Sequence, residues 1–220
     1  ILSTLKNDSL ILAAENVYGC TYRLMDQVFK KFGVSVEYID FTLEKNINSI
    51  SDVKPDLIWI ESPTNPMLKI LDIESISVVS KKIGSTLVVD NTIASSFIQT
   101  PLELGADISL LSLTKYSNGH SDTLGGVVCC NDESWGDKMV FAQKALGLQP
   151  SPFDCWLIQR GLKTQAIRVE RHSQNAKIIA EYLEERFPEG KSLYPFLESH
   201  PQYEIAKEQM RLGSGIISVD

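Results

Sequence analysis

Short apolar runs recur along the chain, each closed by polar residues. The runs 10–14 (LILAA), 35–40 (SVEYID), 57–61 (LIWIE), 86–91 (TLVVDN), 108–114 (ISLLSLT) and 126–130 (GVVCC) are rich in β-branched and aliphatic residues and predict strands. Between several of them, segments such as 21–32 and 73–83 carry apolar residues at helical spacing. Asp72 is placed to cap the second segment and Gly84 to stop it. Near-continuous apolar strands separated by helices predict an α/β fold, with a mostly parallel open sheet flanked by helices.

The texture changes after Pro152. Residues 153–187 contain no strand pattern, and Ile178, Ile179, Tyr182 and Leu183 fall at helical spacing. Gly161 is the one interruption, so two successive helices are expected, broken there. Pro188, Glu189 and Gly190 end the pattern, and YPFLESHP reads as a loop. This divides the chain into a large sheet domain over 1–168 and, over 169–220, a linking helix with the start of a smaller α+β domain. The first residue is Ile and the last six, GIISVD, read as a strand, which suggests a piece of a longer protein.

Composition narrows the classes. Hydrophobic residues make up 43% and charged residues 22%, an ordinary globular balance. A formal charge of −7 argues against nucleic acid or an anionic membrane as partner. No apolar run is long enough for a membrane span, and the first ten residues lack the features of a signal peptide. Four cysteines without CxxC spacing suggest neither a disulfide framework nor a metal site, and a cytoplasmic setting fits them best.

Ligands of open α/β sheets sit beyond the carboxyl ends of the strands, so the polar residues there matter most. They are the Glu61–Pro66 stretch, Asp90 with Asn91 and Thr92, and Ser112 through Lys115. A lysine sheltered from water can condense with a carbonyl. If that carbonyl belongs to pyridoxal phosphate, a buried carboxylate such as Asp90 keeps the pyridine nitrogen protonated, and the hydroxyls of Ser112 and Thr114, alternating on one side of the strand end, suit the phosphate. From spacing alone the commoner explanation is a structural Lys115–Asp90 ion pair with capping hydroxyls.

The longer text is more specific. VVDNT followed by PLELGADISLLSLTKYSNGHSD resembles the signature of the Cys/Met-metabolism family of pyridoxal-phosphate enzymes, the trans-sulfuration group. VYGCTYRLMDQVFKKFGVSVEYID, IESPTNPMLKILDI and SPFDCWLIQRGLKT extend the likeness, in order, over nearly the whole chain. The resemblance implies pyridoxal phosphate as cofactor, with Lys115 as its Schiff-base lysine, Asp90 as pyridinium partner, and Ser112 and Thr114 as phosphate ligands. It implies that Tyr18 stacks on the ring and assists proton traffic, that Thr92 touches the ring edge, and that Asn65 lies close to cofactor and substrate. Their plainer readings are a core aromatic for Tyr18 and a turn residue for Asn65.

The resemblance further implies a small sulfur amino acid as substrate and a homotetramer with active sites shared across a dimer. The first expectation for activity is cystathionine γ-lyase chemistry, with γ-synthase nearly equal and β-lyase and methionine γ-lyase behind. Cys20 stands where many cystathionine enzymes carry glycine and methionine γ-lyases carry cysteine, as either a packing residue or a substrate-tuning one. Ser121 and the segment 150–164 look more like the cystathionine enzymes. The family's upstream phosphate ligands and downstream substrate-binding arginine are not within these residues. Two other classes stay open: a catalytically incomplete homologue serving as an assembly partner, and an aminotransferase.

Three further patterns are read as bland. His120, Ser121 and Asp122 carry the letters of a hydrolase triad but are adjacent and cannot take its geometry. Cys129 and Cys130 point to opposite faces of a strand. Gly213, Ser214 and Gly215 form a turn, and Glu181, Glu184 and Glu185 a solvated helix face.

Overall fold

The computed structural model describes residues 2–188 and 192–219. In chain order its elements are β1 (Leu10–Ala14), α1 (Gly19–Gln27), β2 (Ser35–Ile39), α2 (Glu44–Val53), β3 (Leu57–Glu61), α3 (Ile73–Ile83), β4 (Thr86–Asp90) and α4 (Ser95–Ile98). Then come β5 (Ile108–Ser112), β6 (Gly126–Cys130), α5 (Glu133–Ala145), α6 (Pro152–Leu162), α7 (Gln165–Arg186), β7 (Ser192–Leu193), α8 (Tyr203–Gln209) and β8 (Ser218–Val219).

The six predicted strands form one sheet in the order β2-β1-β3-β4-β5-β6. All neighbours are parallel except β5 and β6, which are antiparallel. The all-apolar strands take the middle: β3 is buried along its whole length, as are four of the five residues of β1 and of β4. Helices cover them, with Met25 of α1, Ile47 and Ile50 of α2, and Ile73 and Ile76 of α3 joining the strands in one core. At about 25 cal/mol per Å² of apolar surface, such burial is the main favourable contribution to folding. A second cluster joins Ile70, Ala94 and Ile98 to Val169 of α7 and to Ala206 and Met210. The later helices thus pack on the same end of the sheet that carries the strand-end loops.

Local signals hold where they are strongest. Asp72 caps α3 by accepting from the Ser75 N–H at 2.9 Å, and Gly84 stops it at φ +74°, which glycine adopts without steric cost. Other boundaries move. Segment 21–32 is not one helix: α1 starts at Gly19 and ends at Gln27, and a 3-10 turn over Phe29–Phe32 turns Phe29 into the core. Strand β5 ends at Ser112, so Thr114 and Lys115 stand in a turn, and side-chain alternation cannot place Thr114 beside Ser112. The two late helices are present, but the break falls at Lys163 and Thr164. Gly161 stays helical and buried because α6 presses on the chain there: a Cβ at Gly161 would lie 2.1 Å from the Asn118 carbonyl oxygen.

Helix α7 runs unbroken through position 168. Of the break expected at Pro188, Glu189 and Gly190, the last two lie outside the described residues, as does the final residue of GIISVD. No helix among the described residues is long and apolar enough to cross a membrane.

Candidate active site

Strands β3, β4 and β5 are parallel, so their carboxyl ends open on the same side. A cavity of about 1140 Å³ lies there. Asp90 ends β4, and Lys115 stands three residues past the end of β5. Both line the cavity, together with Tyr18, Asn65, Thr92, Ser112 and Thr114. The fold therefore gathers seven of the eight residues singled out from sequence. Cys20 is not among the lining residues and is exposed, with Arg23 donating to its Sγ at 3.0 Å.

Asp90 is held rigidly on one side only. Its Oδ1 accepts from the Thr92 hydroxyl at 2.6 Å and the Thr92 N–H at 3.0 Å. No hydrogen bond to Oδ2 occurs among the described residues. Burial pushes the Asp90 carboxyl up, and the two Thr92 bonds pull it back down. A cation held against Oδ2 would favour the ionised form. Thr92 is itself engaged, since its hydroxyl also accepts from the Ser112 N–H at 2.9 Å and so ties β4 to β5. Its methyl and one remaining lone pair are left for a ligand.

Lys115 and Asp90 form no ion pair, which removes the commoner explanation of their spacing and leaves room between them. Lys115 is exposed, not sheltered as its expected chemistry asks, because it stands in a turn and the walls of this chain leave its side of the cavity open. That turn is fastened by its backbone. Arg168 of α7 donates to the Tyr116 oxygen at 2.9 Å and the Gly161 oxygen at 2.8 Å. The Gly119 N–H donates to the Lys115 oxygen at 2.8 Å.

The two hydroxyls differ. Ser112 makes no side-chain hydrogen bond among the described residues. Thr114 accepts from the Gly125 N–H at 3.1 Å and donates to the Gly125 oxygen over a long 3.4 Å, closing the connection between β5 and β6. Asn65 sits in a tight loop closed by Thr64, whose oxygen and hydroxyl accept from the Leu68 and Lys69 N–H groups at 3.0 Å each.

Tyr18, the residue before α1, presents a ring 48% exposed toward the cavity and so is not the core aromatic of its plainer reading. The nearby Cys20 thiol raises the Tyr18 phenol, and the phenol in turn lowers the thiol. The hydrolase letters are inert: His120 bonds the Asn118 oxygen, and Asp122 accepts from the Asn118 side chain.

Glu61 and Arg168 were not assigned a role from sequence. Glu61 carries a legible signal, an acid closing an all-apolar strand. Arg168 does not, since only the packing of α7 brings it to the lysine turn.

The open sheet with helices on it is shared with solved structures of sulfur-amino-acid enzymes. A cystathionine gamma synthase from Xanthomonas oryzae pv. oryzae superposes with a TM-score of 0.95 at 35% sequence identity, over 100% of this chain and 57% of that one. The sequence is 43% identical over 222 residues to a cystathionine beta-lyase of Coxiella burnetii, covering 100% of this chain and 57% of that protein. It is 43% identical over 219 residues to a cystathionine gamma-lyase of Sus scrofa, covering 99% and 54%. The chain thus spans a little over half the length of these relatives. All of residues 1–220 match one family, and the chain belongs to it: the Cys/Met metabolism PLP-dependent enzymes.

Proposed function

We propose that this chain anchors pyridoxal phosphate through Lys115 and serves a trans-sulfuration enzyme that takes cystathionine to cysteine, 2-oxobutanoate and ammonia. The observation that carries the reading is the pair of adjacent strand ends: Lys115 and Asp90 line one cavity without pairing with each other. The donor set suits the group: among the described residues, a carboxylate with one oxygen unbonded, an ammonium and a Ser112 hydroxyl without partners, and an aromatic face at Tyr18.

When bound, the cofactor draws electrons from the amino acid attached to it and stabilises negative charge at Cα. Asp90, fixed by Thr92, holds the proton on the ring nitrogen. Ser112 and Thr114, both on the cavity wall, would hold the phosphate by their hydroxyls. Tyr18 covers the ring face. The Lys115 amine would move protons at Cα and Cβ of the substrate. Asn65 orients the substrate from the loop above Glu61. Cys20 acts on the site through Tyr18.

A second reading, γ-replacement on an O-acyl-homoserine, is supported by the superposition on the Xanthomonas enzyme. A homotetramer with shared sites and a cytoplasmic setting complete the proposal. Exposed Phe141, Phe153 and Trp156 on α5 and α6 favour association, and a partner subunit would cover the open side of the cavity.

Borohydride treatment of the protein loaded with pyridoxal phosphate tests the anchor, and pyridoxyl mass is expected on Lys115. Labelling elsewhere, or none, sinks the reading. A panel of cystathionine, methionine, cysteine and O-acyl-homoserine then separates the activities. A four-carbon ketoacid with cysteine from cystathionine marks the γ-lyase, pyruvate the β-lyase, and amino-group exchange an aminotransferase.

A further inference from the structure

Glu61 has no part in the chemistry described so far, yet its side chain lines the cavity and is 4% exposed. It ends β3, and in the parallel register it stands directly opposite Asp90. Register partners project to the same face of a sheet, so the two carboxyls leave adjacent strand ends side by side. Oε2 of Glu61 accepts from the Tyr18 backbone N–H at 2.8 Å.

Tyr18 needs such an anchor. Its side chain is half exposed, and no side chain caps α1 at this point. Its own oxygen serves the helix by accepting from the Tyr22 N–H at 3.0 Å. What fixes the ring relative to Asp90 is therefore the Tyr18 N–H on Glu61. The chain is short and stiff: ring, backbone, one carboxyl, then a strand paired to the strand of Asp90.

Resting on the reading of the cavity as a pyridoxal-phosphate site, we propose that Glu61 is its positioning residue, a carboxyl that holds Tyr18 by its backbone N–H and so sets where Tyr18 stands relative to Asp90. Two adjacent buried carboxyls do not both ionise readily. Burial, and then the neighbouring Asp90, push Glu61 up to about 8, so at neutral pH it holds Tyr18 as a neutral acid and leaves the negative charge to Asp90. A neutral carbonyl oxygen still accepts this N–H, more weakly than a carboxylate would. The function asked of Glu61 is that of an acceptor of the right length.

Glu61→Gln keeps the acceptor and Glu61→Ala removes it. In cofactor-free protein, amide exchange at Tyr18 is expected to quicken about tenfold in Glu61→Ala and to stay within about twofold of wild type in Glu61→Gln. In the loaded protein, Glu61→Ala should lose about tenfold in cofactor affinity and much of the visible circular dichroism of the bound ring, with Glu61→Gln restoring both. Unchanged far-ultraviolet dichroism controls for folding. Wild-type exchange at Tyr18 in Glu61→Ala overturns the proposal, and so does a Glu61→Gln protein as impaired as Glu61→Ala. The exchange measurement needs no cofactor, so it decides the hold on Tyr18 even if Lys115 resists labelling and the functional reading fails.

Discussion

On one side of the cavity Glu61 and Asp90 end two neighbouring central strands, in register and buried, with hydrogen bonds from residues near them in the fold. On the other side Lys115 stands exposed in a turn, and the turn is fastened by Arg168 and by the close approach of α6 at Gly161. The acidic wall is a product of strand pairing. The lysine wall depends on two helices that join it from about fifty residues further along the chain. The difference teaches where each wall can fail: the first by losing a charge or an acceptor, the second by losing tertiary packing.

The largest effect is expected at the reacting atom. Lys115→Ala should abolish borohydride labelling and lower turnover of cystathionine at least about a thousandfold, as loss of a covalent anchor does. Asp90→Asn keeps shape but loses charge, and should lower kcat about a hundredfold while leaving the lysine labelled. Comparable values for the two would erase the distinction between the walls. Gly161→Ala drives a methyl into the Asn118 carbonyl. It should cost about 2 kcal/mol in a chemical unfolding series, with labelling of Lys115 slowed and the acidic wall untouched.

A stability measurement reads out the acidic wall by pH. Glu61 binds its proton more tightly folded, at about 8, than its ordinary value of 4.5. Cofactor-free protein should therefore lose stability as pH rises from about 4.5 to about 8, by up to about 5 kcal/mol, and change little above that. Asp90 from β4, also pushed up, adds loss of the same sign; Lys115, Arg168 and His172 also line the cavity. Glu61→Gln should flatten the profile between these values, and a wild-type slope retained in that variant would refute the assignment. Smallest of all, Ser112→Ala removes one unpaired hydroxyl and should weaken cofactor binding about five- to tenfold, about 1 kcal/mol, with an unchanged Tm.

Legibility followed the same division. LIWIE and TLVVDN announce buried parallel strands because continuous apolar residues suit a strand covered on both faces. Asp72 and Gly84 mark their helix by local hydrogen bonding and by a backbone angle. The alternation used for Ser112 and Thr114 failed because β5 ends between them, and Thr114 reaches the cavity by bonding Gly125 across the connection. Gly161 misled as a helix breaker because its missing side chain answers a neighbour that is remote in sequence.

The sequence by itself determined the strands, the α/β class and the chemical identity of the site residues, since apolar periodicity and side-chain chemistry are local properties. Only the tertiary structure decided that Asp90 and Glu61 stand side by side, that Asp90 and Lys115 face one cavity unpaired, and that Arg168 holds the lysine turn. Those facts depend on strand order, register and helix packing, which bring together groups that no local pattern connects.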